Sequence, residues 1–205
     1  NGNIATTKAY VVGGIIAQAK NCIIKDCINR GDITTYGYTA GIVAGLTNTD
    51  NRPCTTSITG CTNEGKVESI AKGNHTYTAG ICIIYNGSNG STYADELIIN
   101  NCVNNGEIEG DTVAGIIGNS SGNLKLSDCE NNGAINGRYS AGGIAQCIEN
   151  KNSNEAEVSN CINNGNVFGG AEAAGIIDYA EGITVTNCIN NGNISSNGYV
   201  GGIFS

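Results

Sequence analysis

Apolar and small residues alternate with polar ones in short runs along this chain. Leu97 and Ile99 flank Ile98 ahead of Cys102, and Leu124 and Leu126 flank Lys125 ahead of Cys129. The same places, five and three residues before a cysteine, hold Cys22 and Ile24, Thr56 and Ile58, Ala156 and Val158, and Ile183 and Val185. A period of two marks a half-buried strand. Helical 3.6-residue periodicity is absent, so the pattern predicts an all-β protein.

The runs belong to a repeat, and internal repetition outranks other sequence signals. C-x-N-x-G-x-[IV] occurs six times. It places Cys27, Cys61, Cys102, Cys129, Cys161 and Cys188 two residues before Asn29, Asn63, Asn104, Asn131, Asn163 and Asn190. Gly31, Gly65, Gly106, Gly133, Gly165 and Gly192 follow two residues later, then Ile or Val. Gly2 and Ile4 fit the end of a seventh copy. Between copies lies [AG]-G-I, ending at Ile15, Ile42, Ile81, Ile116, Ile144, Ile176 and Ile203.

Each repeat thus predicts three strand-like pieces: one ending at Cys, one on the Ile or Val after Asn-x-Gly, and one centred on Gly-Ile. Cys-to-Cys spacings are 34, 41, 27, 32 and 27 residues, so 27 reads as one bare coil. The surplus falls near 45–57, 70–76, 85–95 and 148–154, rich in Asn, Ser, Thr and Gly as surface loops should be. The prediction is a single right-handed parallel β-helix, or β-solenoid, over 1–205, with about seven coils.

Stacking assigns each repeated residue a structural task. The Gly of Asn-x-Gly is expected at a corner with positive φ. The Asn is expected to bond backbone at that corner and its counterparts in neighbouring coils. The Cys column admits three readings. Metal ligation needs convergent ligands, whereas one Cys per coil makes a line. Disulfides need Cβ atoms closer than stacked strands bring them. A small buried hydrophobe fits the column best. Cys54, beside Pro53, is the candidate for an exposed or disulfide-bonded thiol.

Composition agrees with a narrow interior: 31 Gly, two Phe, no Trp and no Met. The formal net charge of −8 argues against a nucleic-acid partner. No apolar run reaches the roughly 20 residues that span a bilayer. The chain does not begin with Met, and both ends are in phase with the repeat. It therefore reads as a piece of a longer solenoid or as a unit that stacks head to tail.

Catalytic residues, cofactor and metal ligands are not expected. Local acid clusters occur at Glu107, Glu109 and Asp111, and at Glu155 and Glu157, where alternate spacing predicts solvated same-face acids without facing Lys or Arg. His75, the one histidine, has no fixed nucleophile or acid beside it. The column Val11, Tyr38, Tyr77, Thr112, Ser140, Glu172 and Tyr199 reads as a mixed outward face whose tyrosines are not contiguous.

The alternation of N-x-G-x-[IV] with A-G-G-I, from Gly31, Ile33, Gly41 and Ile42 to Gly192, Ile194, Gly202 and Ile203, resembles the GLUG-type repeats of bacterial surface proteins. Such repeats also occur in non-catalytic regions of IgA-specific metallopeptidases. The zinc motif of those peptidases, H-E-x-x-H, is absent, and the Cys before Asn departs from the usual pattern. The resemblance implies an extracellular or cell-surface solenoid acting as stalk, spacer or adhesive surface. Its partners would be adjacent segments or copies of itself, or a host or environmental glycan or protein. A head-to-tail filament subunit and a carbohydrate-binding or polysaccharide-processing β-helix are the alternatives.

Overall fold

The computed structural model describes residues 2–8, 10–46, 55–73, 76–83, 96–150 and 156–205. Its described residues form strands, turns and bends without a helix, and all strand pairs are parallel. This is a parallel β-helix. The Ile/Val positions after Asn-x-Gly count its coils: Ile4, Ile33, Val67, Ile108, Ile135, Val167 and Ile194 pair in register, giving seven rungs.

The three expected strand regions are present, and two are subdivided. The pre-cysteine strands (Ile23–Lys25, Thr55–Thr59, Glu96–Asn100, Asn123–Ser127, Ala156–Ser159 and Ile183–Thr186) make one six-stranded wall. Each stops two residues short of Cys. After Cys, a two-residue strand carries the Asn, as in Val103–Asn104 and Glu130–Asn131, and these make a second six-stranded sheet. The Ile/Val strands and those preceding Gly-Ile, such as Tyr38–Ala40, share a twelve-stranded sheet. Gly-Ile is itself a bend, beyond which Ile117–Ser121, Ala145–Glu149 and Ile177–Glu181 form the last wall.

Alternation places the core as expected. Ile24, Ile58, Ile99, Leu126 and Val158 stack in register and are buried. They meet Ile42, Ile81, Ile116, Ile144 and Ile176 from the Gly-Ile bends, together with the column cysteines. The Ile/Val column builds a second apolar cluster with Val12, Val113, Ala141 and Ala173.

The expected insertions are trimmed. Thr55–Thr59 is already strand, and the stretch at 148–154 begins only after the strand ending at Glu149. Within 70–76, Ala71 and Thr76 are buried; Ala71 O accepts a bond from Arg138, and Thr76 Oγ1 pairs with Ser69 Oγ. Residues 47–54, 74–75, 84–95 and 151–155 lie outside the described set, and Cys54, His75 and Glu155 with them.

Candidate functional site

The most repeated chemistry is the corner that runs from the residue before Cys to the Gly of Asn-x-Gly. The left-handed residue lies before Cys, five residues ahead of the Gly at which it was expected. Asp26, Asn101, Asp128, Asn160 and Asn187 have φ between 53° and 55°, and Gly60 has φ 62°. Left-handed backbone is costly for most side chains and least so for Gly, Asn and Asp. Every residue preceding a column Cys is one of those three. The left-handed corner is therefore legible in the residue type that precedes each column Cys.

The Gly of Asn-x-Gly does not have positive φ; its reason is steric. A Cβ on Gly65 would stand 2.1 Å from Gly31 O, one on Gly106 1.9 Å from Gly65 O, and one on Gly192 1.9 Å from Gly165 O. The coils touch backbone to backbone along this column, so no side chain fits.

That contact frames the asparagines. Asn63, Asn104, Asn131 and Asn163 are fully buried. Each donates one Nδ2 hydrogen to the Gly carbonyl two residues on, as Asn104 does to Gly106 O at 2.9 Å. The other hydrogen goes to the next coil: Asn29 to Asn63 (2.8 Å), Asn63 to Asn104 (2.8 Å), Asn104 to Asn131 (2.8 Å), Asn131 to Asn163 (2.7 Å) and Asn163 to Asn190 (2.8 Å). Five bonds join six coils, and both amide hydrogens of each inner donor are used, as burial demands. The Gly of Gly-Ile makes room opposite: a Cβ on Gly80 would meet Asn104 at 2.5 Å, and one on Gly115 would meet Asn131 at 2.5 Å.

A second ladder runs outside. Asn191 donates to Asn164 (2.8 Å), Asn164 to Asn132 (2.9 Å) and Asn132 to Asn105 (2.9 Å), all exposed. Its donors point to the preceding coil, opposite to the inner ladder.

The column cysteines line the interior beside the first wall. Cys61, Cys102, Cys129 and Cys161 are buried, and Cys27 and Cys188 are half-buried. None of the nine described cysteines is in a disulfide. Each column thiol donates to the carbonyl two residues back, for example Cys129 to Ser127 O at 3.1 Å. Successive column cysteines stack rung on rung, with Val103 N donating to Cys61 O, Glu130 N to Cys102 O, Ile162 N to Cys129 O and Ile189 N to Cys161 O, so neighbouring thiols influence one another. Bonds to Cys102 and Cys161, reinforced by burial, push the Cys129 thiol well up. Cys61 and Cys188 are pushed up by their bonds to Cys102 and Cys161 respectively. Cys102 and Cys161 are lowered by the neighbouring thiols on both sides, Cys129 and Cys61 for the first and Cys129 and Cys188 for the second. Cys82, wholly buried, is raised by desolvation.

The acid clusters differ from expectation. Lys66 stands among them, 2.8 Å from Glu109, 3.8 Å from Glu68 and 4.0 Å from Glu107. The bond to Glu109 raises the Lys66 pKa. Asp111 leaves the shared face at a register shift between Gly110 and Thr112 and is fully buried. Arg138 Nε donates to it at 2.6 Å, while Nη2 donates to Ser69 O (2.7 Å) and Ala71 O (2.6 Å). Arg138 therefore ties three successive coils.

The outward column pairs in the expected register, Tyr77 with Thr112 and Glu172 with Tyr199. Its tyrosines are contiguous at one end: Tyr10 and Tyr38 centroids lie 5.1 Å apart, and Tyr38 and Tyr77 stack at 6.1 Å. Tyr38 and Tyr77 are consecutive members of the column, and Tyr10, one residue before Val11, extends the stack to a third ring. Also missed was Asp178, 2% exposed, which receives bonds from Gln146 Nε2 (3.0 Å) and Ser205 Oγ (2.9 Å). Burial raises its pKa.

Among the described residues, no group of three or more His, Cys, Asp or Glu converges on a point. No known family, curated protein or solved structure matches the chain.

Proposed function

We propose that this chain is a structural or adhesive segment of an extracellular or cell-surface solenoid, serving as stalk, spacer or binding surface. The inner asparagine ladder carries the reading. The recurring Cys, Asn and Gly join coils to one another, so the repeated chemistry is spent on continuity along an axis. Seven coils at about 4.8 Å make a rod roughly 34 Å long. The likeness of its repeats to GLUG-type repeats supplies the surface location. Antibodies against the segment, applied to intact producing cells, should label the surface; labelling only after lysis would overturn the location.

Two further readings have their own observations. The last coil exposes Tyr199 (72%), Val200 (51%) and Phe204 (44%), a face that a second copy would cover in a head-to-tail filament. The stalk reading requires no such copy. Electron microscopy of the 205-residue chain separates them, since a monodisperse monomer contradicts the filament. The Tyr10–Tyr38–Tyr77 stack favours glycan binding, because sugars dock on aromatic faces. A glycan array in which Tyr10→Ala binds as the parent does, or neither binds, contradicts that reading.

A further inference from the structure

We propose that the outer asparagine ladder carries two sites of spontaneous deamidation, Asn105 and Asn191, and protects the two asparagines between them. Each ladder residue is followed by glycine: Asn105–Gly106, Asn132–Gly133, Asn164–Gly165 and Asn191–Gly192. Without a Cβ, glycine lets its backbone nitrogen reach the preceding side chain, so Asn-Gly is the dipeptide most open to this chemistry. The inner ladder is excluded. Its asparagines precede Arg30, Glu64 or another Asn, never Gly, and Asn63, Asn104, Asn131 and Asn163 are fully buried.

The four outer residues share the sequence N-N-G and an exposed side chain, but not their hydrogen bonds. Asn132 donates to Asn105 (2.9 Å) and accepts from Asn164. Asn164 donates to Asn132 (2.9 Å) and to Glu130 Oε1 (2.7 Å) and accepts from Asn191. Both are tied from two sides. Their glycine nitrogens are tied as well, Gly133 N to Asn104 O and Gly165 N to Asn131 O, each at 3.3 Å. The ends of the ladder differ on both counts. Asn105 accepts from Asn132 and faces, in the coil before it, Glu64, which is already paired with Arg30 at 2.9 Å. Asn191 donates to Asn164 and accepts from no coil beyond it among the described residues. Neither Gly106 N nor Gly192 N donates to a backbone carbonyl of the described residues. An untied attacking nitrogen and a side chain held from one side coincide at the two ends.

The step conserves atoms and charge. The Gly nitrogen bonds to Asn Cγ and gives up its proton, and the Cγ–Nδ2 bond breaks to release ammonia. Water then opens the cyclic imide, leaving Asp or its backbone-shifted isomer, with no change of oxidation state. A carboxylate formed at position 105 still accepts from Asn132, so the ladder survives there. One formed at position 191 no longer donates to Asn164. Two further Asn-Gly pairs are held differently: Asn136 lies in the strand Ile135–Gly142 and donates to Glu107 Oε1, and Gly198 N, after Asn197, donates to Ser196 Oγ at 3.0 Å.

The test is to age the reduced, folded 205-residue chain in mildly alkaline buffer, and in parallel in urea, then digest both and locate the amide-to-acid mass gain by peptide mass spectrometry. The rate in the fold divided by the rate in urea, taken pair by pair, removes differences due to sequence alone. That ratio should be several-fold higher at Asn105 and Asn191 than at Asn132 and Asn164. Asn105 decides the matter, because it precedes Ile108 in the fourth of the seven rungs, where fraying of an end coil does not reach. A ratio at Asn105 no higher than that at Asn132 overturns the proposal.

Discussion

The carbonyl oxygen of Gly106 stands 1.9 Å from where a Cβ on Gly133 would be, across the gap between successive coils. Backbone against backbone cannot yield as a side chain would. Gly133→Ala must push the two coils apart and strain the Asn104–Asn131 bond beside them. A loss of about 4 kcal/mol or failure to fold is expected, at the severe end for point changes. Gly2→Ala, at the equivalent position with nothing within 4 Å, should stay within about 0.5 kcal/mol. Urea unfolding of both variants checks the contrast.

The left-handed residue before Cys makes a separate prediction. Asn101→Gly keeps φ 53° accessible and should change stability little. Asn101→Val puts a β-branched side chain there and should cost about 1–2 kcal/mol. Equal midpoints for the two variants would show that the conformation is not demanding.

How much was legible follows from these corners. Alternation gave the pre-cysteine wall and the buried Ile24–Ile58–Ile99–Leu126–Val158 stack, because every second residue of that wall faces the apolar interior. The repeat gave the register and the asparagine ladder. Positive φ was assigned to the wrong residue, because Gly is required equally by a left-handed turn and by close approach, and sequence does not separate the two. These contacts were missed because they cross coils: Arg138 pairs with Asp111 from 27 residues away and donates to the Ser69 carbonyl from 69. Asp111 looked like a surface acid because a register shift, invisible in the spacing, turns it inward.

Arg138→Ala should therefore be costly for a residue that is partly exposed. It leaves the Asp111 carboxylate buried without its cation and frees two backbone carbonyls. Breaking such a pair costs about 3–5 kcal/mol. The thermal midpoint should fall sharply in Arg138→Ala and recover substantially when Asp111→Leu is added. A melt unchanged by Arg138→Ala would contradict the three-coil tie.

Asp178 gives a pH dependence whose sign is fixed. Burial raises its pKa in the folded state, so folding favours the protonated acid. Its contribution is fully present below the ordinary Asp value of about 3.9 and is lost as pH rises through the raised folded value. Asp178→Asn, neutral throughout, should be more stable than the parent at pH 7. The difference should shrink on acidification; an unchanging or opposite difference between pH 3 and 7 would contradict it.

The central claim is that the repeated asparagine fastens coils from within and is not a surface binding group. Asn131 and Asn132 are neighbours in sequence, each in a ladder, one fully buried and the other exposed. Asn131→Ala strands Asn104 Nδ2, Asn163 Oδ1 and Gly133 O inside the protein, where each unpaired group costs about 1–3 kcal/mol. The decisive measurement is the urea unfolding free energy of Asn131→Ala beside Asn132→Ala. The account predicts a loss of at least about 3 kcal/mol for the first and under about 1 kcal/mol for the second. Equal losses, or a larger one at Asn132, would contradict it.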